Sequence, residues 1–141
     1  MDQVLEFVSN HPLLAGGFVA VLVLLIWTEI HRRLQGLVEL SPSELVARMN
    51  DVDTVLIDVS SAADYNKGHI LNARNFAMTR IQAVDAEVQK LLKSKLVLVC
   101  KTGQTSVQAA AALKKQGAAD VAILKGGMAR WLSDQYPVTR K

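Results

Sequence analysis

The chain has 141 residues, half of them hydrophobic, and a formal net charge of +3. That length admits one compact domain and little beside it, and a single cysteine excludes an internal disulfide and a cysteine-built metal site. The basic residues are scattered and aromatics make up only 5%, a composition that argues against a nucleic-acid partner.

The first segment, "MDQVLEFVSNH", carries Asp2 and Glu6 but no Lys or Arg, so it lacks the basic leading region of a signal peptide. Next comes "PLLAGGFVAVLVLLIWT", with no charged side chain and with Trp27 where an aromatic belt residue would sit. It is apolar on every face, whereas a buried core helix normally keeps a polar stripe. The following "TEIHRR" offers no small-residue cleavage site, so the segment reads as a membrane anchor that is retained. Gly16 and Gly17 allow close packing near one end but do not form the spaced small-residue motif.

All 16 Lys and Arg lie after this run, beginning with Arg32 and Arg33. The positive-inside rule therefore predicts a single-pass protein of the inner (plasma) membrane with its C-terminal part in the cytoplasm. From His31 onward there are 16 basic and 10 acidic residues, a balance of +6. That suits a domain near an anionic leaflet, where each basic group close to the surface contributes about 1 kcal/mol. A reducing cytoplasm also suits a lone thiol. The expected organisation is a short extracytoplasmic tail (1–11), a transmembrane helix (12–30) in the lipid bilayer, a linker (31–36) and a folded domain (37–141).

"LQGLVEL" supplies linker and a first strand. "SPSE" is a capping box with proline at the first helical position, which predicts a helix to about Met49. "TVLIDV" is a continuous apolar run too short for a helix and reads as a strand buried on both faces. "SAADYNKG" predicts a short helix stopped by Gly68, and "HILNARNFA" loop and edge. An amphipathic stretch covers 79–92. "KLVLVC" is a second buried strand, residues 104–116 a helix stopped by Gly117, and "DVAIL" a third strand. "KGG" is a turn, and "MARWLSDQ" a last helix ending before Pro137. Apolar strands alternating with helices imply an α/β domain, a parallel sheet with helices on both faces and right-handed crossovers.

In such sheets, ligands bind beyond the carboxyl ends of the strands. Cys100 ends a strand there, and "KTGQT" separates it from a helix. Gly103 lets the backbone curl, so that amides can turn inward beside the positive end of the helix dipole. That setting favours a thiolate over a thiol. Lys101 adds a charge, and Thr102, Gln104 and Thr105 offer side-chain donors. A lone cysteine at the end of a core strand is more often a packed hydrophobe, but packing alone does not call for glycine and four polar residues here. A nucleotide-binding P-loop does not fit, because its lysine follows glycine rather than preceding it.

Three stretches, "VLIDVSSAADYNKGHILNARN", "VLVCKTGQTSVQAAAALKKQG" and "VAILKGGMARW", resemble the rhodanese-like sulfurtransferases in the family's order. The layout is similar to that of bacterial single-domain rhodaneses on an N-terminal membrane helix. The resemblance implies a rhodanese-like fold, no cofactor, no metal, and a persulfide mechanism. The Cys100 thiolate would take the outer sulfur of a small sulfane-sulfur donor such as thiosulfate and pass it to cyanide or a protein thiol. It also implies donor binding by Lys101 and Thr105, with Thr102, Gly103 and Gln104 completing the substrate-binding loop.

Where many members have Asp-Val-Arg, this chain has Asp58-Val59-Ser60, so an arginine that usually forms structural ion pairs is absent. Asp58 is expected to brace the loop, His69 to be structural rather than a base, Trp131 to be core, and Lys114 and Lys115 to cover a solvated helix end. Two other functions stay open: a non-catalytic module recruiting a partner to the membrane, and a phosphatase of related fold. The phosphatase loop would require arginine at 106, where Ser106 stands.

Overall fold

A computed structural model describes residues 1–34 and 36–140. Gln35, within the predicted linker, and Lys141 lie outside the described residues. So do the side chains of Arg32 and Arg33, where the charge argument begins. The chain divides into two compact units, Met1–Gly36 and Leu37–Lys141.

The first unit is helical. The segment expected as a tail forms α1 (Asp2–Asn10), and α2 spans Pro12–Leu34. Spacing in α1 puts Val4, Leu5 and Val8 on one side and Asp2, Glu6 and Ser9 on the other, although every side chain there is exposed. Between Pro12 and His31, 20 residues of α2 are long and apolar enough to cross a membrane, and none of that span is buried in protein. The helix continues past residue 30 because "TEIHRRL" contains no helix breaker before Gly36.

The second unit is a five-stranded sheet in the order β1 (Val38–Leu40), β5 (Asp120–Leu124), β4 (Lys95–Val99), β2 (Thr54–Asp58), β3 (Arg74–Asn75). Every pairing between these strands is parallel. Parallel neighbours need crossovers, and the helices that make them cover both faces. Against one face pack α5 (Met78–Ala83), α6 (Ala86–Leu91) and α7 (Gln104–Lys115), through Ile81, Val88, Ala109 and Leu113. Against the other pack α3 (Pro42–Met49) and α8 (Gly127–Ser133), through Leu45, Met128 and Trp131. The short helix α4 (Ala62–Lys67) follows β2.

Ser41 caps α3 as its motif requires: its Oγ accepts from the Glu44 amide, and its own amide donates to Glu44. The amphipathic stretch 79–92 is divided between two helices, because Val84 adopts a left-handed backbone (φ 52°) and Asp85 caps a new start by accepting from the Val88 amide at 2.9 Å. Arg80 secures that corner, bonding Asp85 and Glu87 at 2.7 Å each and lying over the Phe76 ring. Gly68 ends α4, as its sequence predicts, in an extended conformation (φ 163°). What limits that position is space, since a Cβ there would meet Val138 at 3.3 Å.

Candidate functional site

β2 and β4 lie side by side, with Asp58 opposite Val99, so Asp58 and Cys100 sit at neighbouring strand ends. Their side chains leave on opposite faces, as the alternation of a strand demands. Cys100 is 2% exposed and joins the core beneath α5, α6 and α7.

The loop after Cys100 closes around its sulfur. The Gly103 amide donates to Sγ at 3.0 Å and the Ser106 amide at 3.4 Å. The thiol in turn donates to Ser106 Oγ at 3.6 Å, while that hydroxyl donates to the Gly103 carbonyl at 3.0 Å. Gly103 (φ 92°) is the N-cap of α7, which has no side-chain cap, so the sulfur faces the uncapped positive end of a twelve-residue helix. A hydroxyl can rotate, and Ser106 can become a third donor once the sulfur loses its proton. Such an arrangement suits an anionic sulfur.

The loop is held from behind by α8. The Met128 amide donates to the Cys100 carbonyl at 2.8 Å and the Ala129 amide to the Lys101 carbonyl at 3.0 Å. That approach requires Gly127, where a Cβ would fall 2.3 Å from the Cys100 carbonyl oxygen and 2.7 Å from the Gly103 nitrogen.

Of the predicted site residues, Cys100 and Gly103 meet at the sulfur. Lys101, Thr102, Gln104 and Thr105 are exposed on the loop and the first turn of α7, and among the described residues none of their side chains bonds the sulfur. Ser106 was weighed only as the residue that stands in place of a phosphatase arginine. It is fully buried and makes two of the three contacts to Sγ. Sequence reading missed it, and also the part played by Gly127. The spacing of six residues, which brings Ser106 back over the strand end within the first turn of α7, was the available signal for the first.

On the other face, Asp58 is 1% exposed, and its Oδ1 accepts from the Ser60 amide at 2.8 Å. The Asn75 side chain donates to the carbonyls of Asp58 and Ser60, so this loop is stitched through its backbone without an arginine. The Tyr65 phenol donates to the Ala73 carbonyl at 2.6 Å. Burial, and secondarily the charge of Asp58, push that phenol above its ordinary pKa, so it stays a donor. His69 is buried, its Nδ1 2.8 Å from the Tyr65 carbonyl and its ring stacked 3.7 Å from Tyr65. Its backbone pairs in both directions with Thr139. Trp131 is buried and donates to the Pro137 carbonyl at 2.9 Å.

A cleft of about 350 Å³ opens on this second face. Asp58, Ser60, Lys67, Lys101 and Arg140 are among its walls, and Cys100 is not.

Comparison with known proteins agrees with this fold. The rhodanese-like domain model matches residues 41–134. The uncharacterised protein YibN of Escherichia coli (strain K12) is 29% identical over 141 residues, covering 99% of both chains. A sulfurtransferase of Allochromatium vinosum is 31% identical over 101 residues, covering 71% of this chain and 92% of that one. Among solved structures, a rhodanese-related protein of Thermoplasma volcanium superposes with a TM-score of 0.63 at 22% identity, covering 74% of this chain and 99% of that one.

Proposed function

The chain belongs to the rhodanese-like domain family and has a sulfurtransferase-type function, and from that premise we propose that Cys100 is the group that carries the sulfur. The observation that supports this is the pair of amides, Gly103 and Ser106, directed at Sγ from the start of α7. The Cys100 thiolate attacks the outer sulfur of a donor such as thiosulfate. A new S–S bond forms as the old one breaks, and the electron pair leaves with sulfite. The outer sulfur of the resulting persulfide is then attacked by an acceptor, cyanide or a thiolate, and Cys100 leaves as thiolate again. Donors fixed before the reaction stabilise the negative sulfur at both stages without reorganising. Lys101, Thr102, Gln104 and Thr105, exposed around the loop, bind the anionic end of the donor.

We assign α2 the role of a membrane anchor, with residues 37–141 on the cytoplasmic side, on its apolar length and on the Lys and Arg that follow it. The full chain in detergent is expected to convert thiosulfate and cyanide to thiocyanate, and Cys100→Ser to lose that activity. In intact cells, Gln3→Cys should react with an impermeant thiol reagent while Cys100 does not; the reverse labelling would overturn the orientation. Burial of Cys100 favours the second reading, a non-catalytic module that recruits a partner. No activity with any sulfane donor would move the assignment there, whereas activity that survives Cys100→Ser would remove Cys100 as the carrier.

A further inference from the structure

The helix α1 has little in the protein to hold it. It has nine residues, and isolated helices shorter than about 12–15 residues are marginal in water. None of its side chains is buried, and the ring contact of Phe7 is with His11, 5.2 Å away and just past the end of α1. Its residues are nonetheless sorted by face. At about 100° per residue, Val4, Leu5, Phe7 and Val8 share one side, all exposed, and Asp2, Gln3, Glu6, Ser9 and Asn10 share the other. At His11 the backbone leaves the helical region (φ −133°, ψ 61°), as the residue before a proline tends to, so α1 and α2 are separate helices joined at one residue.

The thickness of a bilayer restricts where such a helix can go. The 20 residues Pro12–His31, at about 1.5 Å each, make about 30 Å, which is the depth of the hydrocarbon core. A spanning α2 fills that depth, so α1 begins where the core meets the headgroups. Deeper insertion would carry Asp2 and Glu6 into hydrocarbon, at high cost. Release into water would leave four apolar side chains uncovered on a helix too short to support itself. Lying in the plane of the boundary satisfies both faces.

Resting on the anchor reading of α2, we propose that α1 is a second membrane contact, an in-plane helix seated on the acyl–headgroup boundary where α2 enters the bilayer. Val4, Leu5, Phe7 and Val8 turn toward the acyl chains, and Asp2 and Glu6 stay in water. No Lys or Arg occurs before Arg32, so the attachment comes from apolar area and needs no anionic lipid. Through the one-residue joint, α1 fixes the depth at which α2 sits.

The test is nitroxide scanning of the full chain in phosphatidylcholine vesicles. The label is placed through Val4→Cys, Glu6→Cys, Val8→Cys, Ser9→Cys or Leu22→Cys, one at a time, with Cys100→Ser to remove the native thiol. Collisions are measured with oxygen, which favours hydrocarbon, and with a nickel chelate, which stays in water. The oxygen-to-nickel ratio should be at least about fivefold higher at Val4 and Val8 than at Glu6 and Ser9. A uniformly low ratio over α1 would put the helix in water, and a uniformly high one would make it part of the span; either overturns the inference. So would exclusion of both reagents at Val4 and Val8, which would mean that protein covers that face. Leu22, in the middle of the span, separates the two readings. A high ratio there beside a uniform α1 would sink only the in-plane helix. A low ratio there beside an alternating α1 would sink the anchor and leave α1 on the membrane surface.

Discussion

The chain's two tryptophans summarise the difference between its halves: Trp27 is 69% exposed and Trp131 is 2% exposed. In the Met1–Gly36 unit the apolar side chains, from Leu13 to Ile30, find no protein to cover them. In the Leu37–Lys141 unit, residues of the same kinds fill two cores on either side of a sheet. Hydrophobic burial is non-directional, so like composition can be satisfied by protein or by another apolar phase. The pattern, rather than the amount, separates the two. In α2 the apolar residues run round the helix, while in the domain they run continuously only over five-residue strands.

The sharpest way to break this contrast is to make one substitution in both halves. Leu98→Ala, in the middle of β4, should destabilise the domain by about 2–5 kcal/mol in urea unfolding, since it empties a fully buried site. Leu24→Ala, exposed on α2, should change that unfolding by less than about 0.5 kcal/mol. Equal effects would contradict the contrast.

Within the domain, the site contrasts with the surface in the same manner. Gly117 has a positive φ (106°) and open space around it, so Gly117→Ala should cost about 1 kcal/mol, the left-handed backbone penalty alone. Gly127→Ala adds a collision with the Cys100 carbonyl and should cost more than twice that in unfolding, with loss of sulfur uptake. Smaller again is Ser106→Ala, which leaves the Ser106 amide in place and removes one hydroxyl from the sulfur. A hydrogen bond to a charged group is worth about 1.5–3 kcal/mol, so sulfur uptake should fall by about 10- to 100-fold while the fold is retained. An unchanged rate would remove Ser106 from the machinery.

The smallest effect is at the exposed corner between α5 and α6. The Val88 amide first, and Arg80 second, hold the Asp85 carboxyl below its ordinary pKa of 3.8. A lowered carboxyl contributes stability that is present above its unfolded pKa and lost as pH falls through its folded value. Asp85→Asn should therefore make urea stability slightly less pH-dependent below about pH 4, the unfolded carboxylate range, with little difference from the unaltered chain below both pKa values. A difference that grows as the pH falls would contradict the assignment.

How much of this was legible in the sequence follows from the range of the forces involved. The three buried strands and the capping box at Ser41 are local patterns, and the structure has them where the sequence places them. Val84 could not be read as a break, because a β-branched residue rarely takes a left-handed backbone and only the surrounding packing imposes it. The helix over 2–10 was overlooked because the segment was judged by its charge alone. At the site, the cysteine, the loop and Gly103 lie within four residues and were legible. Gly127 touches Cys100 across 27 positions, and the cleft beside Ser60 forms from four separate parts of the chain. Neither leaves a local trace.

The most direct measurement is the intact mass of the full chain in detergent before and after thiosulfate, with Cys100→Ser alongside. The account predicts a gain of one sulfur atom, removable by cyanide and absent from the variant. An unchanged mass with thiosulfate and with other sulfane donors, or a gain that persists in Cys100→Ser, would contradict it.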